Sequence, residues 1–235
     1  MLSTKGENVV IGKDVLFGSN VVIGNNVVIY EGTRIGHSVI IQDNAVIGKQ
    51  PTRAKASILP DVKELPPAVI GPGVTIGTSA IIYANAEIGE DVFIADLTTV
   101  RERVTIGAKT IVGRGVAIEN DCVVGERCKL ETNCYITAYS ELGDDVFVAP
   151  CVVTTNDNYM GRGKERFDKF KGVTVKDGGR IGANATILPG KVICEDGTVA
   201  AGSIVSRNVG REILVVGSPA KELRKVPYEQ LLRNQ

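Results

Sequence analysis

Apolar and polar positions recur along this chain with a period of six residues, without interruption from Pro66 to Thr155. The third place of each hexad is small or aliphatic, and the fifth is a larger aliphatic or aromatic residue. Because these places share parity, both side chains point to the same face of an extended strand. Gly, Asn and Asp separate the runs, as at Gly143-Asp144-Asp145, and tolerate tight corners. A fixed period this short predicts a solenoid, whose triangular coils of three strands stack into three parallel sheets.

Two segments break this period, and each is predicted to be a loop that leaves a corner of the solenoid. The first, residues 49–65, contains Gln50-Pro51-Thr52-Arg53 and runs into Leu65-Pro66-Pro67. The second, residues 156–178, carries a basic run from Arg162 to Lys171 that includes two phenylalanines. Long loops on a rigid scaffold are disproportionately functional, so the second loop is a candidate site.

The end of the chain is predicted to be helical. The hexads resume at Gly179 and fade near Val216, and Ser218-Pro219 then fits an N-cap followed by a first helical residue. This pattern predicts a helix through Lys225, with another short turn or helix from Pro227. We therefore expect an all-β solenoid over residues 1–217, with loop insertions near 49–65 and 156–178. A short C-terminal α-helical tail is expected over residues 218–235.

The charge balance and hydropathy narrow the range of partners. The chain has 27 basic and 27 acidic residues and a formal net charge of zero, which gives no support to nucleic-acid or anionic-membrane binding. No apolar run approaches the roughly 18 residues of a membrane span, and the first residues lack the apolar core of a signal peptide. We expect a cytoplasmic protein without nucleic-acid or membrane partners.

Cysteine and histidine usage restricts the chemistry further. The five cysteines include no C-x-x-C pair, and Cys122, Cys128 and Cys134 occupy the third place of successive hexads. Small buried side chains are the expected role of these three, and a catalytic thiol is the alternative. The chain has one histidine, His37, which excludes a zinc site built from three imidazoles, so we expect no metal.

The last coils contain I-G-A-N-A-T-I-L-P-G (181–190), V-A-A-G-S-I-V (199–205) and V-G-S-P-A-K-E-L-R (216–224). Together they resemble the terminal coils of the hexapeptide-repeat acyltransferases, whose fold is a left-handed parallel β-helix. The resemblance, not the periodicity, implies the handedness, a departure from the usual right-handed crossover. It also implies a homotrimer with acetyl-CoA in the groove between subunits. Small residues would line the pantetheine arm: Ala183, Ala201, Gly202 and Ser203. Two cations, Lys221 and Arg224, would contact the phosphates, with solvated surface charge as the alternative role for both.

Thr155-Asn156-Asp157 resembles the T-N-D region of nucleotide-linked amino-sugar N-acetyltransferases, and N-N-V-V-I-Y-E-G (25–32) resembles their V-Y-E-G stretch. Tyr159-Met160-Gly161-Arg162 follows where Pro-Arg is frequent in that group, which leaves the particular sugar open. The resemblance implies a dTDP- or UDP-linked amino sugar as acceptor. The residues expected to contact this substrate, with ordinary corner or outward polar positions as the alternative, are Tyr30, Glu31, Arg34, His37 and Glu131.

The chemistry of amine acylation fits a chain without a histidine base. A sugar amine has a pKa of roughly 8, so a useful fraction is free base at neutral pH. Asp157 is expected to orient the amine, Asn156 to donate to the oxyanion or the sugar, and Glu141 on the preceding coil to assist. Either Asp157 or the departing CoA thiolate takes the proton.

Simpler roles and other functions stay open. Asn156 and Asp157 could cap a corner, and Glu141 could be an exposed surface residue. The alternative functions are a hexapeptide acetyltransferase with a free small-molecule acceptor, and a non-catalytic scaffold or regulatory subunit.

Overall fold

The computed structural model describes residues 2–56 and 63–235. It is an all-β parallel solenoid, consistent with a left-handed β-helix of hexapeptide repeats, as predicted. Each coil contributes one short strand to each of three sheets, which we call sheets I, II and III. Equivalent residues pair between coils, as Thr75 pairs with Phe93 and Ile76 with Ile94. We name the corners by the sheets they join: I/II, II/III and III/I.

Sheet I has twelve strands, all parallel except the last pair. In spatial order they are Leu2–Lys5, Val21–Ile23, Ile40–Ile41, Thr75–Ile76, Phe93–Ile94, Ile111–Val112, Lys129–Leu130, Phe147–Val148, Arg180–Ile181, Thr198–Val199, Ile213–Gly217 and Ala220–Lys225.

Sheets II and III have ten and nine strands. Sheet II consists of Val10–Ile11, Val28–Ile29, Val46–Lys49, Ile81–Tyr83, Thr99–Val100, Ala117–Ile118, Tyr135–Ile136, Val153–Thr154, Thr186–Ile187 and Ile204–Val205. Sheet III consists of Leu16–Phe17, Arg34–Ile35, Val69–Ile70, Glu87–Ile88, Thr105–Ile106, Val123–Val124, Glu141–Leu142, Thr174–Val175 and Val192–Ile193. Three short 3₁₀ turns lie at Glu165–Asp168, Tyr228–Gln230 and Leu232–Asn234.

The third and fifth places of the hexads form one continuous apolar column inside the three sheets, as their parity predicts. The three cysteines at third places, Cys122, Cys128 and Cys134, are buried in it. Burial raises the pKa of the Cys122 thiol to about 12, of Cys128 to about 11 and of Cys134 to about 12. Because a thiol of this kind stays protonated at neutral pH, the structure favours packing over nucleophilic catalysis for all three.

Corners are built by backbone geometry and by polar side chains stacked between coils. The second residue of a corner lies in the left-handed region, as at Asn26 with φ 55° and Asp145 with φ 56°. Asn and Asp adopt this conformation more readily than other side chains. Gly107 precedes a corner where coils approach so closely that a Cβ would lie 2.6 Å from the carbonyl carbon of Gly125. The hexad residue types therefore follow directly from coil stacking.

The predicted C-terminal α-helix is wrong. Ala220–Lys225 is a strand that pairs antiparallel with Ile213–Gly217, and Ser218-Pro219 forms the turn between them. Ile213–Gly217 is the last parallel strand of sheet I, so its outer edge would otherwise leave backbone groups unpaired. Satisfying this edge outweighs the helix propensity of the sequence A-K-E-L-R-K. Two 3₁₀ turns follow from Tyr228.

The second predicted loop is shorter than expected. The strand that follows this loop is Thr174–Val175, so the hexads resume before the predicted end of the loop at residue 178. The first loop lies between Val46–Lys49 and Val69–Ile70, so Lys49, predicted as its first residue, belongs to a strand. Residues 57–62 of the predicted break at 49–65 lie outside the described part. Within the described ranges, no helix has the length and apolar character of a membrane span.

Candidate functional site

Both long loops leave corner II/III. One connects Val46–Lys49 of sheet II to sheet III, and the other connects Val153–Thr154 of sheet II to Thr174–Val175 of sheet III. Four rungs of sheet II separate the two departure points, so the loops start about 24 Å apart at the usual strand spacing. The corner surface between them is a notch bounded by a loop at each end.

Asp157 anchors the second loop. Its carboxylate accepts hydrogen bonds from the N–H groups of Tyr159 at 2.8 Å and Gly161 at 2.9 Å, and from the Arg166 guanidinium at 2.9 Å. The Gly161 N–H, with those of Tyr159 and the Arg166 guanidinium, holds the pKa of Asp157 below its ordinary value. This arrangement stabilises the carboxylate and makes it a weak proton acceptor.

Aromatic and cationic side chains fold the loop onto itself. The Arg166 guanidinium lies 4.8 Å from the ring centre of Phe167 and 5.6 Å from that of Phe170, and the two rings meet edge to face at 6.0 Å. Lys169 donates a hydrogen bond to the Tyr159 hydroxyl at 3.0 Å. The loop is therefore held by its own contacts as well as by its ends.

Asn156 closes the base of this loop through its backbone and leaves its side chain available. Its carbonyl oxygen accepts from Lys171 N–H at 3.1 Å. The half-buried side-chain amide makes no hydrogen bond to any described residue. Glu141 is exposed on sheet III, where it pairs with Thr174 just beyond the loop. No hydrogen bond or ion pair links Glu141 to Asn156 or Asp157 within the described residues.

The small residues predicted to line the pantetheine arm lie on corner I/II. Gly202 N–H donates to the Ala183 carbonyl at 2.8 Å, so Ala183 and the Ala201-Gly202 pair occupy successive coils. A Cβ built at Gly202 would meet nothing within 4 Å, so the corner is open there. Ser203 differs from the expectation. Its side chain is 1% exposed and its Oγ accepts from Gly217 N–H at 3.1 Å, so it ties the hairpin to the coil and does not face a groove.

The two predicted phosphate ligands are exposed on the return strand of the hairpin and not on a helix. Lys221 pairs with Val216, and with Arg207 it lines a cavity of about 220 Å³ at the end of the solenoid. The Arg224 guanidinium donates to the Lys225 carbonyl at 3.1 Å. Since Gly217 is bound to Ser203, this hairpin starts beside the Ala201-Gly202 corner.

The predicted substrate contacts are spread over the column. Tyr30 and Glu31 line a cavity of about 520 Å³ at corner II/III under the first loop, and Arg34 is exposed on sheet III. His37 lies at corner III/I, where its Nδ1 meets the Ser19 N–H at 2.9 Å and the Ser19 Oγ at 2.8 Å, as a corner cap does. Glu131 is half-buried at corner I/II. A single chain does not gather these residues into one site.

The notch between the loops contains an ion-pair network that the sequence analysis missed. Glu102 is 3% exposed and receives the Arg101 guanidinium through two hydrogen bonds of 2.8 and 3.1 Å. Arg103 pairs with Asp121 at 2.6 Å. The Arg101 guanidinium also lies 4.9 Å from the ring centre of Tyr83. The available signal was Arg101 itself, a charged residue at the sixth place of a hexad where glycine is usual.

The fourth hexad places, which face outward on sheet II, are uncharged in all ten strands. The charged residue of the sheet, Lys49, is half-buried at the corner end of Val46–Lys49. By contrast, sheet III presents Arg34, Glu87 and Glu141, and sheet I presents Lys129 and Arg180. Several sheet II residues are well exposed for apolar side chains, such as Val153 at 42% and Ile204 at 38%. The outward residues of sheet II are Val10, Val28, Val46, Ile81, Thr99, Ala117, Tyr135, Val153, Thr186 and Ile204. A charge-free strip of this length is typical of a surface that packs against protein.

The two halves of the predicted site flank this face on opposite edges. Asn156 and Asp157 leave corner II/III, whereas Ala183 and Ala201 lie on corner I/II, one and two coils further along. One side of a coil is six residues long, so the two edges are separated by up to about 20 Å. A single chain cannot bring the two halves together.

Three family models match segments of the chain. A model of bacterial transferase hexapeptide repeats matches residues 6–37, and a model of the hexapeptide repeat of succinyl-transferase matches residues 172–207. The model of the GMPPB C-terminal domain matches residues 55–161. The first two matches support the hexapeptide-repeat transferase family.

Curated relatives with acetyltransferase names match parts of the chain. A Schizosaccharomyces pombe protein, an acetyltransferase by name, is 37% identical over 57 residues, which are 24% of this chain and 28% of that protein. The dTDP-3-amino-3,6-dideoxy-alpha-D-galactopyranose 3-N-acetyltransferase of Aneurinibacillus thermoaerophilus is 41% identical over 54 residues, 23% of this chain and 28% of that enzyme. The chain thus matches less than a third of the length of either relative.

Solved structures of acyltransferases are also similar. An N-acyltransferase from Bacillus cereus, in complex with dTDP and 3-hydroxybutyryl-CoA, is 23% identical with a TM-score of 0.44. The match covers 69% of this chain and 84% of that one.

Proposed function

We propose that this protein is an acetyl-CoA-dependent N-acetyltransferase that works in the cytoplasm on the amine of a dTDP- or UDP-linked amino sugar. The Aneurinibacillus relative, an N-acetyltransferase named for a dTDP-linked amino sugar, supports this choice of substrate class. The chain's single histidine supports amine over hydroxyl acylation, because acylation of a hydroxyl commonly needs an imidazole base.

The observation that carries the proposal is the position of the two half-sites on the edges of one uncharged face. In a closed ring of parallel columns whose sheet II faces the symmetry axis, corner I/II of each protomer lies beside corner II/III of the next. The loop base at Asn156 would then lie across from Ala183 and Ala201 of a neighbouring copy. We therefore propose a homotrimer, with acetyl-CoA along corner I/II and the acceptor amine at the loop base.

The proposed reaction is direct attack on the thioester. The free amine forms the new N–C bond, the C–S bond breaks, and the proton of the resulting ammonium passes to the departing CoA thiolate. The Asn156 amide, which has no hydrogen-bond partner among the described residues, donates to the developing oxyanion or to the sugar. Asp157 positions the loop and does not take the proton, because its pKa is already lowered by three donors.

Assays with a panel of amino sugars test this function. We expect the purified protein to release free thiol from acetyl-CoA when it is given a dTDP- or UDP-linked amino sugar. The free nucleoside diphosphate, dTDP or UDP, should compete with the nucleotide-linked sugar, because the two share the nucleotide that the protein recognises. Release with unactivated amines, insensitive to dTDP and UDP, would instead identify an acetyltransferase with a free small-molecule acceptor.

Substitutions on matched threonines test the assembly. Thr99 and Thr105 hold the same place of successive hexads, the first outward on sheet II and the second on sheet III. We expect Thr99→Arg to convert the trimer to monomer and to reduce acetyl transfer at least about tenfold, because a charge would be buried without a partner. Thr105→Arg should leave both unchanged. Light scattering coupled to gel filtration measures the mass, and equal masses for the two variants would contradict the sheet II interface.

A regulatory or scaffold subunit is the second candidate. The match of residues 55–161 to the GMPPB C-terminal domain favours it, because that model, unlike the other two, is not named for a transferase. A protein that is inert with every acyl acceptor but forms a stable complex with another enzyme would support this candidate over the transferase.

A further inference from the structure

A cavity of about 450 Å³ lies between the outward face of sheet I and the last residues of the chain. Its floor includes Lys129, Phe147 and Arg180, which are direct partners on three consecutive rungs. Gln230 and Leu232 of the C-terminal segment form part of its other wall. The cavity extends toward corner III/I, where Arg127, Asp145 and Gly178 lie, whereas Ala183 lies at the other edge of sheet I.

The C-terminal segment is fixed over this floor by specific contacts. Leu231 is 2% exposed. The Leu232 N–H donates to an Asp196 carboxylate oxygen at 2.9 Å, and Arg233 pairs with Glu212 at 2.6 Å. Because one buried apolar anchor and two polar anchors hold the wall, the cavity is a built feature of the fold.

The Arg180 guanidinium lacks acceptors for most of its donors. Its Nε and Nη2 groups are buried and have no hydrogen-bond partner in the described part of the chain. Its Nη1 has one long contact, 3.4 Å to the Gln230 side-chain oxygen. Buried guanidinium donors are nearly always paired, so an acceptor is expected here. Nε and Nη2 form one edge of the guanidinium, which matches the two oxygens of a carboxylate or phosphate.

The other basic side chains around the cavity are paired or lie toward solvent. Arg127 is engaged by Asp145 at 3.0 and 2.9 Å and by Glu126 at 2.7 Å. Lys129 is exposed and makes no ion pair with a described residue. Three acidic side chains also line the cavity, Asp145, Asp196 and Glu229, so its charged residues balance. The feature that favours an oxyanion is therefore the unpaired pair of donors on Arg180, and not a net positive charge.

We propose that this cavity binds a small organic oxyanion, a carboxylate or a phosphate ester, on the Nε/Nη2 edge of Arg180. The Phe147 ring, one rung away, gives the apolar part of the ligand a surface to pack on. Protein atoms cover these two N–H groups, although Arg180 itself lines the cavity. The guanidinium therefore rotates toward the cavity when the ligand enters. Long side chains change rotamer in picoseconds to nanoseconds when they are free to move. Ligand binding also touches Gln230 and Leu232, so it stabilises the C-terminal segment.

Phenyl phosphate and benzoate are suitable probes, because they share a ring for Phe147 and differ in the oxyanion. We expect saturable binding of at least one probe by calorimetry, measured with the full-length protein at constant ionic strength. Arg180→Gln should weaken binding at least tenfold, and Arg180→Lys should recover only part of it, since lysine keeps the charge and loses the fork. Arg114→Gln, at an exposed corner outside the cavity, is the matched control and should bind as the wild type does. Hydrogen exchange at the Leu232 amide should slow when the probe is bound.

The results distinguish a phosphate-ester site from a general oxyanion site, and they show whether the proposed site exists. Binding of phenyl phosphate alone identifies a phosphate-ester site, and binding of benzoate as well identifies a general oxyanion site. No saturable binding of either probe up to about 10 mM overturns the proposal. Equal affinity in the wild type and Arg180→Gln also overturns it, because the probe then binds elsewhere. None of these results depends on acetyltransferase activity, so this site and the proposed function succeed or fail separately.

Discussion

Replacing Ile41 with alanine is expected to lower the free energy of unfolding by about 2–5 kcal/mol. Ile41 holds a fifth place of the hexad pattern and is 1% exposed inside the solenoid. Its removal leaves a cavity between two coils that cannot collapse, because the neighbouring rungs at Ile23 and Ile76 are fixed by backbone pairing. Urea unfolding followed by circular dichroism measures the change, at one fixed protein concentration because association also stabilises the native state.

The adjacent residue provides a matched control. Ile40 precedes Ile41 on the same strand and is 44% exposed on the outer face of sheet I. The same deletion of side-chain atoms in Ile40→Ala should change the free energy of unfolding by no more than about 1 kcal/mol. If both variants lost the same stability, the fifth place would not be the interior position, and the parity argument for the whole column would be wrong.

This contrast explains why so much of the fold could be predicted from the sequence. A coil-on-coil solenoid repeats one local environment, so each hexad independently reports which places are inside. Val173 and Val175 obey the same rule after the second loop, and both are buried. The loop was predicted to extend to residue 178 because its basic composition hid this hexad. Periodicity is least informative at the first coil after an insertion.

The end of the chain shows what local pattern cannot supply. Ser218-Pro219 and the following A-K-E-L-R-K sequence carry helix signals, yet Ala220–Lys225 pairs with the last strand of sheet I. The need to cover a strand edge is a property of the finished stack and is not encoded in the residues that cover it. The same holds for the candidate site. Asn156 and Ala183 were each singled out from sequence, but their separation on two edges depends on the sheet order.

The second large effect is expected at the loop base, where two adjacent residues should behave differently. Asp157→Ala removes the acceptor for Tyr159, Gly161 and Arg166 and should loosen the whole loop. Trypsin cleavage after Arg162 or Lys164 should accelerate at least about tenfold, because proteolysis follows the population of the open loop. Asp168→Ala, an exposed aspartate of the same loop, is the control and should cleave at the wild-type rate.

Acid should mimic this variant, since the folded loop lowers the pKa of Asp157. A carboxylate whose folded-state pKa is depressed stabilises the loop at pH values above its ordinary pKa of 3.8. That stabilisation is lost as the pH falls through the folded-state pKa. Hydrogen exchange of the Gly161 amide, corrected for the intrinsic rate, should therefore show protection that is constant at neutral pH and decreases below about pH 4. Protection that is independent of pH in this range would show that Asp157 does not hold the loop.

Asn156→Ala should leave the loop intact and reduce catalysis directly. Its backbone contact to Lys171 remains, so trypsin resistance should match the wild type. If its amide donates to the developing oxyanion, kcat should fall roughly 100- to 1,000-fold. Asp157→Ala should instead lose activity in proportion to loop opening. At pH values where Asp157 is ionised in the wild type, its remaining activity should keep the wild-type pH profile, because Asp157 is not the proton acceptor. A new pH dependence in that variant, or full activity in Asn156→Ala, would reverse the two assignments and make Asp157 the residue that handles the proton.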